Sequence, residues 1–536
     1  MIKKIFTNQS HSITGAAIIL GAASFLSRFM GVVRDRIFAH AFGAGDVLDA
    51  YYAAFRIPDL IFNLLIVGAL SAGFIPIFLE VLHKDEHEAG RLVDALITIL
   101  TIALIIISGI GILAAPWITK FIVPGFTGTK LHLTIVFSQI MFLSPIILGI
   151  SSVVSGVLQS FKNFLIYSLA PVMYNIGIIV GALVFVPIMG MKGLAWGVIL
   201  GAVLHLVIQL PTLWSHGFRY RPLLAWNQSL KKIVQLMIPR TMGLAAYQIN
   251  MVVVTTLAST LAAGSITIFN LANNLQYFPI GIIGYSFSIA AFPTFAQFVA
   301  ENRKREMIDS LSLTIRQIIF LMLPITIVFL LLRAQIVRVV LGSGKFDWDA
   351  TILTANTLAF FTLSLFAQAL IPLLARAFYA LNDTWIPFVI SLTSAFLSVI
   401  LSIYLKEFMG VIGLALAFSI SMIVQLMMLW MGLRKKLGSL KELTLLHSLY
   451  KLSISALIMA VSIQLLKYPL AHIVNMTRFW GILTQGILAG VAGLLIYTGM
   501  CYLLKVEELI IFQASLKRRW IKLWHVQEEI GKTNEL

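Results

Sequence analysis

Long apolar runs separated by short polar breaks extend along the whole chain. Most runs hold about 18 residues or more, enough for an α-helix to cross a bilayer. Apolar and polar residues do not alternate within them, as they would in a transmembrane β-barrel. The pattern predicts an all-α polytopic membrane protein with fourteen transmembrane helices, at residues 13–39, 50–79, 91–115, 132–159, 165–187, 193–214, 231–261, 267–298, 309–332, 351–380, 384–405, 410–433, 447–467 and 479–504.

Several segments recur about 220 residues later. WITKFIVPGF at 117–126 aligns with VRVVLGSGKF at 337–346, GVLQSFKNF at 156–164 with RAFYALNDT at 376–384, and GLA at 193–195 with GLA at 413–415. Because an even number of spans separates matching segments, the two halves are parallel and a substrate path is expected between them. The predicted parts are two six-helix halves at 1–220 and 221–440, two additional spans within 441–505, and an amphipathic cytoplasmic tail at 506–536.

The composition supports a membrane protein. Of the 536 residues, 59% are apolar and 11% are charged, whereas soluble domains carry about 25% charged residues. With fourteen spans, 24 basic residues lie on the side of the N-terminus and nine on the other side. This bias predicts that both termini are cytoplasmic. It also accounts for the net charge of +17 without a nucleic-acid partner.

Enzyme motifs are missing from the chain. It contains no P-loop, no HExxH metal motif and no Gly-x-Ser-x-Gly elbow, each of which marks a class of catalytic site. We therefore expect a transporter with no catalytic residue, no metal and no cofactor. We expect the gradient of a monovalent ion or the membrane potential to supply the free energy for transport.

The stretch at 24–78 combines apolar character with charges at Arg28, Arg34, Asp35, Asp49 and Arg56. One charge at the centre of a lipid-facing helix costs at least about 2.5–3.5 kcal/mol on insertion scales. A chain that keeps several such charges is expected to direct them into a wet cavity that holds a polar ligand. Arginine suits this task because its planar guanidinium grips phosphate oxygens with two bonds.

Structural roles are open alternatives for the same residues. Arg28 and Asp35 are seven apart on one helix face and could form an ion pair, whereas Arg28 and Arg34 share a face only if the helix bends at Gly31. Asp49 could be a solvated cap of the second span. Hydrogen bonds between helices could explain Asn63, Asn273 and Asn274.

The segment SRFMGVVRDRIFAHAFGAGDVLDAYYAAFRIPDL resembles the first-span signature of the MurJ (MviN) family of bacterial lipid II flippases, in the multidrug/oligosaccharidyl-lipid/polysaccharide exporter superfamily. The resemblance covers the whole chain. It implies transport of lipid II, the undecaprenyl-pyrophosphate-linked peptidoglycan precursor, from the inner to the outer leaflet of the cytoplasmic membrane. It also implies a lipid-tail groove at spans 13 and 14. A monomer surrounded by membrane lipids is expected.

Residue by residue, Arg28 and Arg34 occupy the positions of the family's essential cavity arginines. Arg56 matches a basic position, and Asp49 matches the aspartate after FGAG. The chain departs from the family at Phe62-Asn63, where relatives have Arg-Arg, at Val67, where they have glutamate, and at Asn273-Asn274, where they have Asp-Arg. The predicted headgroup site is Arg28, Arg34, Asp35, Asp49, Arg56, Asn63, Asn273 and Asn274.

Two other functions stay open from the sequence alone. One is export of another undecaprenyl-linked oligosaccharide, or of a drug, by a carrier of the same superfamily. The other is a membrane-embedded glycosyl- or acyltransferase. An enzyme of that kind needs a catalytic His, Asp or Glu near the bilayer surface, and the short loops offer few.

Overall fold

The computed structural model describes residues 13–67 and 74–514. No β-strand occurs in these ranges, so the all-α prediction is confirmed. Within the described ranges, π-helical turns interrupt the helices at Phe62–Val67, Gly181–Phe185 and Ile280–Gly284. The α-helices are α1 Ile13–Phe42, α2 Asp46–Ile61, α3 Ile75–Leu82, α4 Glu86–Ile122, α5 Gly128–Met141, α6 Ser144–Ser160, α7 Phe164–Val180, α8 Val186–Met189, α9 Lys192–Val207, α10 Leu210–Ser215, α11 Gln228–Ser259, α12 Ser265–Pro279, α13 Tyr285–Ala300, α14 Lys304–Leu331, α15 Arg333–Val340, α16 Trp348–Thr362, α17 Leu365–Ala380, α18 Trp385–Met409, α19 Val411–Leu437, α20 Glu442–Ile473 and α21 Phe479–Leu503.

The predicted spans coincide with these helices. Within the described ranges, ten helical stretches are long and apolar enough to cross a membrane, and the pair α16 and α17, bent by 44°, could form an eleventh. The other three predicted spans lie on α1, on α2 with α3, and on α11, which are also helical. The protein is thus a multi-pass membrane protein by its helix content, and the number fourteen stays a prediction.

The backbone repeats at the spacing that the sequence predicts. Residues with positive φ are rare unless a turn requires them. Four such residues in the first half have a counterpart 220 or 221 residues later, in the pairs Gly43 and Gly264, Lys162 and Asn382, Gly190 and Gly410, and Gly217 and Gly438. The same turns therefore connect matching helices in both halves. The boundaries at 220 and 440 stay predictions.

Glycines allow α7 and α9 to approach closely. Gly193, Gly197 and Gly201 form a Gly-x-x-x-Gly-x-x-x-Gly series on α9, and they face Gly177 and Gly181. A Cβ atom on Gly197 would lie 2.5 Å from the Cα of Gly181. In membranes, such small-residue faces replace the hydrophobic effect as a reason for helices to associate. This contact makes part of the first half a tightly packed bundle.

The contacts divide the chain into two compact units. One consists of Met1–Phe278, Val340–Phe361 and Thr384–Ser421, and the other of Pro279–Val339, Thr362–Asp383 and Met422–Leu536. The second unit contains α20 and α21, the additional helices, which pack with α14 around Met459 and Tyr497. The predicted tail at 506–536 lies outside the described residues from residue 515 onwards.

The glycine contact predicts a specific sensitivity to added volume. We expect Gly197→Ala to lower the stability by about 1–3 kcal/mol, because its methyl group overpacks a backbone-to-backbone contact. Gly109→Ala is the matched control, since a Cβ atom at Gly109 of α4 meets no atom within 4 Å. Thermal unfolding of the purified variants in one detergent measures the stability of each. Equal melting temperatures for the two variants would contradict the close packing.

Candidate substrate-binding site

Arg34 and Asp35 on α1 form an ion pair inside the first unit. The Arg34 guanidinium donates to Oδ1 of Asp35 from Nε at 3.0 Å and from Nη2 at 2.8 Å. Its Nη1 donates to the side-chain oxygen of Asn175 on α7 at 3.2 Å. Asn274 on α12 donates to Oδ2 of Asp35 at 2.9 Å. Three helices thus share one polar cluster, in which the two charges compensate each other.

Arg28, six residues before Arg34 on α1, is in a different environment. Its side chain is half-buried, and in the ranges 13–67 and 74–514 no hydrogen bond or ion pair reaches it. The expected alternative, an ion pair with Asp35, is wrong because Asp35 is occupied by Arg34 and Asn274. The helix runs through Gly31 without a break. Arg28 is therefore a cation within the first predicted span, and the described residues supply no partner for it.

Arg56 on α2 is held by neutral oxygens. Its Nε donates to the Thr255 hydroxyl on α11 at 2.8 Å, and its Nη2 donates to the Asn270 side chain on α12 at 2.5 Å. Asp59 follows three residues later, on the same helix face. Pro58 lies inside α2 and does not end it, because the helix continues to Ile61 and changes to a π-helical turn at Phe62.

Asp49 is buried and caps a helix other than its own. Its Oδ2 accepts from Lys130 Nζ at 2.8 Å and from the Gly264 amide at 2.7 Å. Its Oδ1 accepts from the Thr267 amide at 2.9 Å and from the Thr267 hydroxyl at 2.8 Å. A carboxylate has about four acceptor positions, and all are used. The solvated cap of α2 expected as an alternative is wrong, since Asp49 instead holds the N-terminus of α12.

The remaining predicted residues make local contacts. Asn63 donates to the backbone oxygen of Asp59 at 2.9 Å, and the Asn273 oxygen accepts from Gln276 at 3.0 Å. Sequence reasoning missed Asn175 and Thr255. A polar residue inside an apolar span was the available signal for each, but the spacing does not show which arginine it meets.

Two further arginines within predicted spans, Arg36 and Arg316, make other contacts. Arg36 donates to the backbone oxygen of Val340 at 3.3 Å. Arg316, in the second unit, pairs with Glu507 at 2.9 Å and Glu508 at 2.8 Å, just after α21. The side chain of Arg240 lies outside the described part of the chain.

The ends of α1 and α2 meet turns of the second half within the first unit. The Lys345 amide donates to the backbone oxygen of His40 at 3.0 Å. A Cβ atom on Gly43 would lie 2.6 Å from the oxygen of Lys345, and one on Gly264 would lie 2.5 Å from the oxygen of Ala44. Glycine is needed at both because φ is also positive there. With the Asp49 bonds, these contacts join the two halves at one end, which we call the joined end.

A sequence profile described as Lipid II flippase MurJ matches residues 38–483 of this chain. The chain belongs to the MurJ family.

Relatives in the MurJ family match most of the chain. A lipid II flippase MurJ from Burkholderia cenocepacia is 29% identical over 433 residues, which cover 78% of this chain and 84% of the relative. A probable lipid II flippase MurJ from Buchnera aphidicola subsp. Schizaphis graminum is 31% identical over 433 residues, which cover 79% of this chain and 84% of the relative. The resemblance noted in the first-span signature is thereby confirmed.

Solved structures support the same fold. A lipid II flippase MurJ in an inward closed conformation superposes with a TM-score of 0.74 at 23% identity, covering 90% of this chain and 99% of the other. An inward-facing multidrug resistance MATE family transporter of the MOP superfamily superposes with a TM-score of 0.66 at 15% identity, covering 80% of this chain and 99% of the other. The MurJ-like and MATE-like fold is therefore shared.

The departures from the MurJ family pattern now have a structural setting. Asn274 stands where relatives are expected to carry arginine, and it supplies Asp35 with a neutral donor. Asp35 therefore balances Arg34 alone. Arg28 and Arg56 lie outside this cluster, and within the described ranges neither forms an ion pair with a carboxylate.

The environment of Asp49 predicts an asymmetry between two neighbouring aspartates. Lys130 pairs with both Asp46 and Asp49, but the side chain of Asp46 is 63% exposed and that of Asp49 is 2% exposed. We expect Asp49→Asn to destabilise the protein by about 3 kcal/mol or more, because buried donors lose their acceptor. Asp46→Asn should cost less than about 1 kcal/mol. Thermal unfolding of the two variants compares them, and equal losses would disprove the capping role.

Proposed function

We propose that this protein moves lipid II from the inner to the outer leaflet of the bacterial cytoplasmic membrane, for peptidoglycan biosynthesis. Membership of the MurJ family supports the substrate, and the relatives carry that activity in their names. The observation that carries the proposal is Arg28, a half-buried cation in a membrane helix without a protein partner in the described chain. A diphosphate is the group that such a cation would bind.

The headgroup would meet two kinds of residue. Arg28 is free to bind one phosphate with its planar guanidinium. Arg34 and Arg56 are held by side-chain oxygens of Asp35, Asn175, Thr255 and Asn270, so a phosphate must compete with these acceptors or share the arginines with them. We assign Arg28 the main electrostatic contact and give Arg34 and Arg56 supporting ones.

Alternating access requires the joined end to open. We expect this end on the outer side of the membrane, because the charge bias of the loops predicts that both termini are cytoplasmic. Hydrogen bonds to Asp49 and the His40 to Lys345 bond close it. Both must break before a headgroup leaves on the outer side. Because the chain has no nucleotide-binding motif, we propose that the membrane potential or a monovalent ion supplies the free energy, with no cofactor.

The first test is complementation of a strain depleted of its own lipid II flippase. We expect the native chain to restore growth and Arg28→Ala to fail at equal expression and equal melting temperature, because no described contact is lost. Arg28→Lys should restore less than the native chain, since lysine lacks the planar fork. Arg305→Ala is the control, since Arg305 is exposed and has no partner in the described ranges.

Complementation by Arg28→Ala at the native level would rule out the assigned contact. Failure of a well-expressed native chain would instead point to a different lipid-linked oligosaccharide as substrate. The two results therefore separate the site from the substrate.

A second test addresses the joined end. Cys501 is the single cysteine, so a Cys501→Ser background admits engineered pairs. A disulfide between His40→Cys and Lys345→Cys should stop complementation until a reductant is added, because it holds the two halves together. The control is a disulfide between Thr119→Cys and Ser138→Cys. Because the native hydroxyls lie 3.5 Å apart within the first half, this disulfide should leave growth unchanged. Full growth with the His40 and Lys345 pair oxidised would contradict opening at this end.

A further inference from the structure

A cavity of about 770 Å³ lies in the first unit, away from the candidate site. It is bounded by the first turns of α4, the end of α6 and the segment at 216–223. None of the eight predicted site residues lines it. Cavities of about 300–1,000 Å³ are typical of small-molecule sites.

Charged residues face each other across this cavity. Glu86, Arg91 and Asp94 lie along one face of α4, while Arg219 and Arg221 come from the opposite segment. The guanidinium groups of Arg91 and Arg219 make no hydrogen bond or ion pair with the residues that the structure describes. The cavity therefore presents cations for a phosphate and carboxylates that can accept from hydroxyl groups.

The wall at 216–223 is held in place by the protein itself. The Tyr220 hydroxyl lies 2.9 Å from that of Thr98, and the Leu223 amide donates to Thr98 at 3.1 Å. The Arg221 amide donates to Asp94 at 3.1 Å. The His216 ring stacks on Phe161 with centroids 4.3 Å apart. The site is thus preformed, which lowers the entropic cost of binding.

Arginine supplies the permanent positive charge of the cavity. Burial lowers the pKa of His216, which disfavours the charged form of its ring. Arginine stays protonated at any physiological pH. A bound anion would therefore meet a constant positive charge.

Large apolar side chains beside the cavity place it at the membrane surface. Trp214, Leu224 and Trp226 are 57%, 76% and 62% exposed. Tryptophan at the edge of a span is typical of the headgroup region. The loop also lies on the side of the membrane with the excess of lysine and arginine. Phosphate groups of the cytoplasmic leaflet would lie at this level.

We propose that this cavity binds a glycerol-phosphate group, with the phosphate on Arg91 and Arg219 and the hydroxyls on Glu86 and Asp94. The group would belong to an anionic lipid of the adjoining leaflet or to a soluble glycerol phosphate. The proposal does not depend on lipid II transport, since the cavity shares no residue with the site of that proposal.

Native mass spectrometry of the full chain in detergent tests it, with phosphatidylglycerol and phosphatidylcholine of equal acyl chains as probes. We expect the native protein to prefer phosphatidylglycerol. Arg91→Ala combined with Arg219→Ala should weaken this binding about tenfold or more, as expected for two lost charge-assisted bonds. Arg305→Ala combined with Lys435→Ala removes the same charge from exposed residues outside the cavity and should leave binding unchanged.

Soluble glycerol 3-phosphate separates the two sources. Competition with phosphatidylglycerol would assign the site to the headgroup alone, and its absence would assign the site to the intact lipid. Equal binding of the two lipids by the native protein would overturn the proposal. Equal losses in the two double variants would also overturn it, because they would show only general charge attraction.

Discussion

The cost of placing arginine in hydrocarbon governs this structure. Each such charge must find an acceptor within the protein, water or a ligand. Arg34 finds Asp35 and Asn175, and Arg56 finds Thr255 and Asn270. These bonds join α1 and α2 to α7, α11 and α12, so the charges also fix how the helices of the first unit assemble. Arg28 is the exception, because no residue in the described ranges accepts from it, and the proposed function rests on this observation.

Two kinds of helix contact have different consequences for motion. Between α7 and α9, glycine backbones touch over several turns, and such a contact cannot slide without steric clash. At the joined end, by contrast, Asp49 and the His40 to Lys345 bond hold the halves through few hydrogen bonds. Water can replace those partners when the end opens, at a net cost of about 0.5–1.5 kcal/mol for the neutral His40 to Lys345 bond and about 1.5–3 kcal/mol for each bond to the Asp49 carboxylate. Alternating access requires helix bundles that stay rigid and a joined end whose hydrogen bonds can break.

The sequence predicted the helices well because each apolar run carries its own length and period, which tertiary packing cannot alter in a membrane. It also predicted a repeat of about 220 residues from matching segments, and residues with positive φ recur at that spacing in the described chain. The sequence did not predict which side chains contact the candidate site residues. Arg28 and Asp35 share a helix face, yet Asp35 bonds its neighbour Arg34. Asp49 belongs to the start of α2 in sequence but caps α12, because helix neighbours depend on packing that spacing does not encode.

Binding measurements test most directly whether Arg28 binds a diphosphate. The affinities of undecaprenyl pyrophosphate and undecaprenyl monophosphate can be compared in one detergent for the native chain and for Arg28→Ala. We expect the native chain to bind the pyrophosphate more tightly than the monophosphate. Arg28→Ala should melt at the native temperature but lose this preference, with an affinity for the pyrophosphate about tenfold or more lower because one charge-assisted contact is lost. An unchanged preference in a folded Arg28→Ala protein would contradict this expectation.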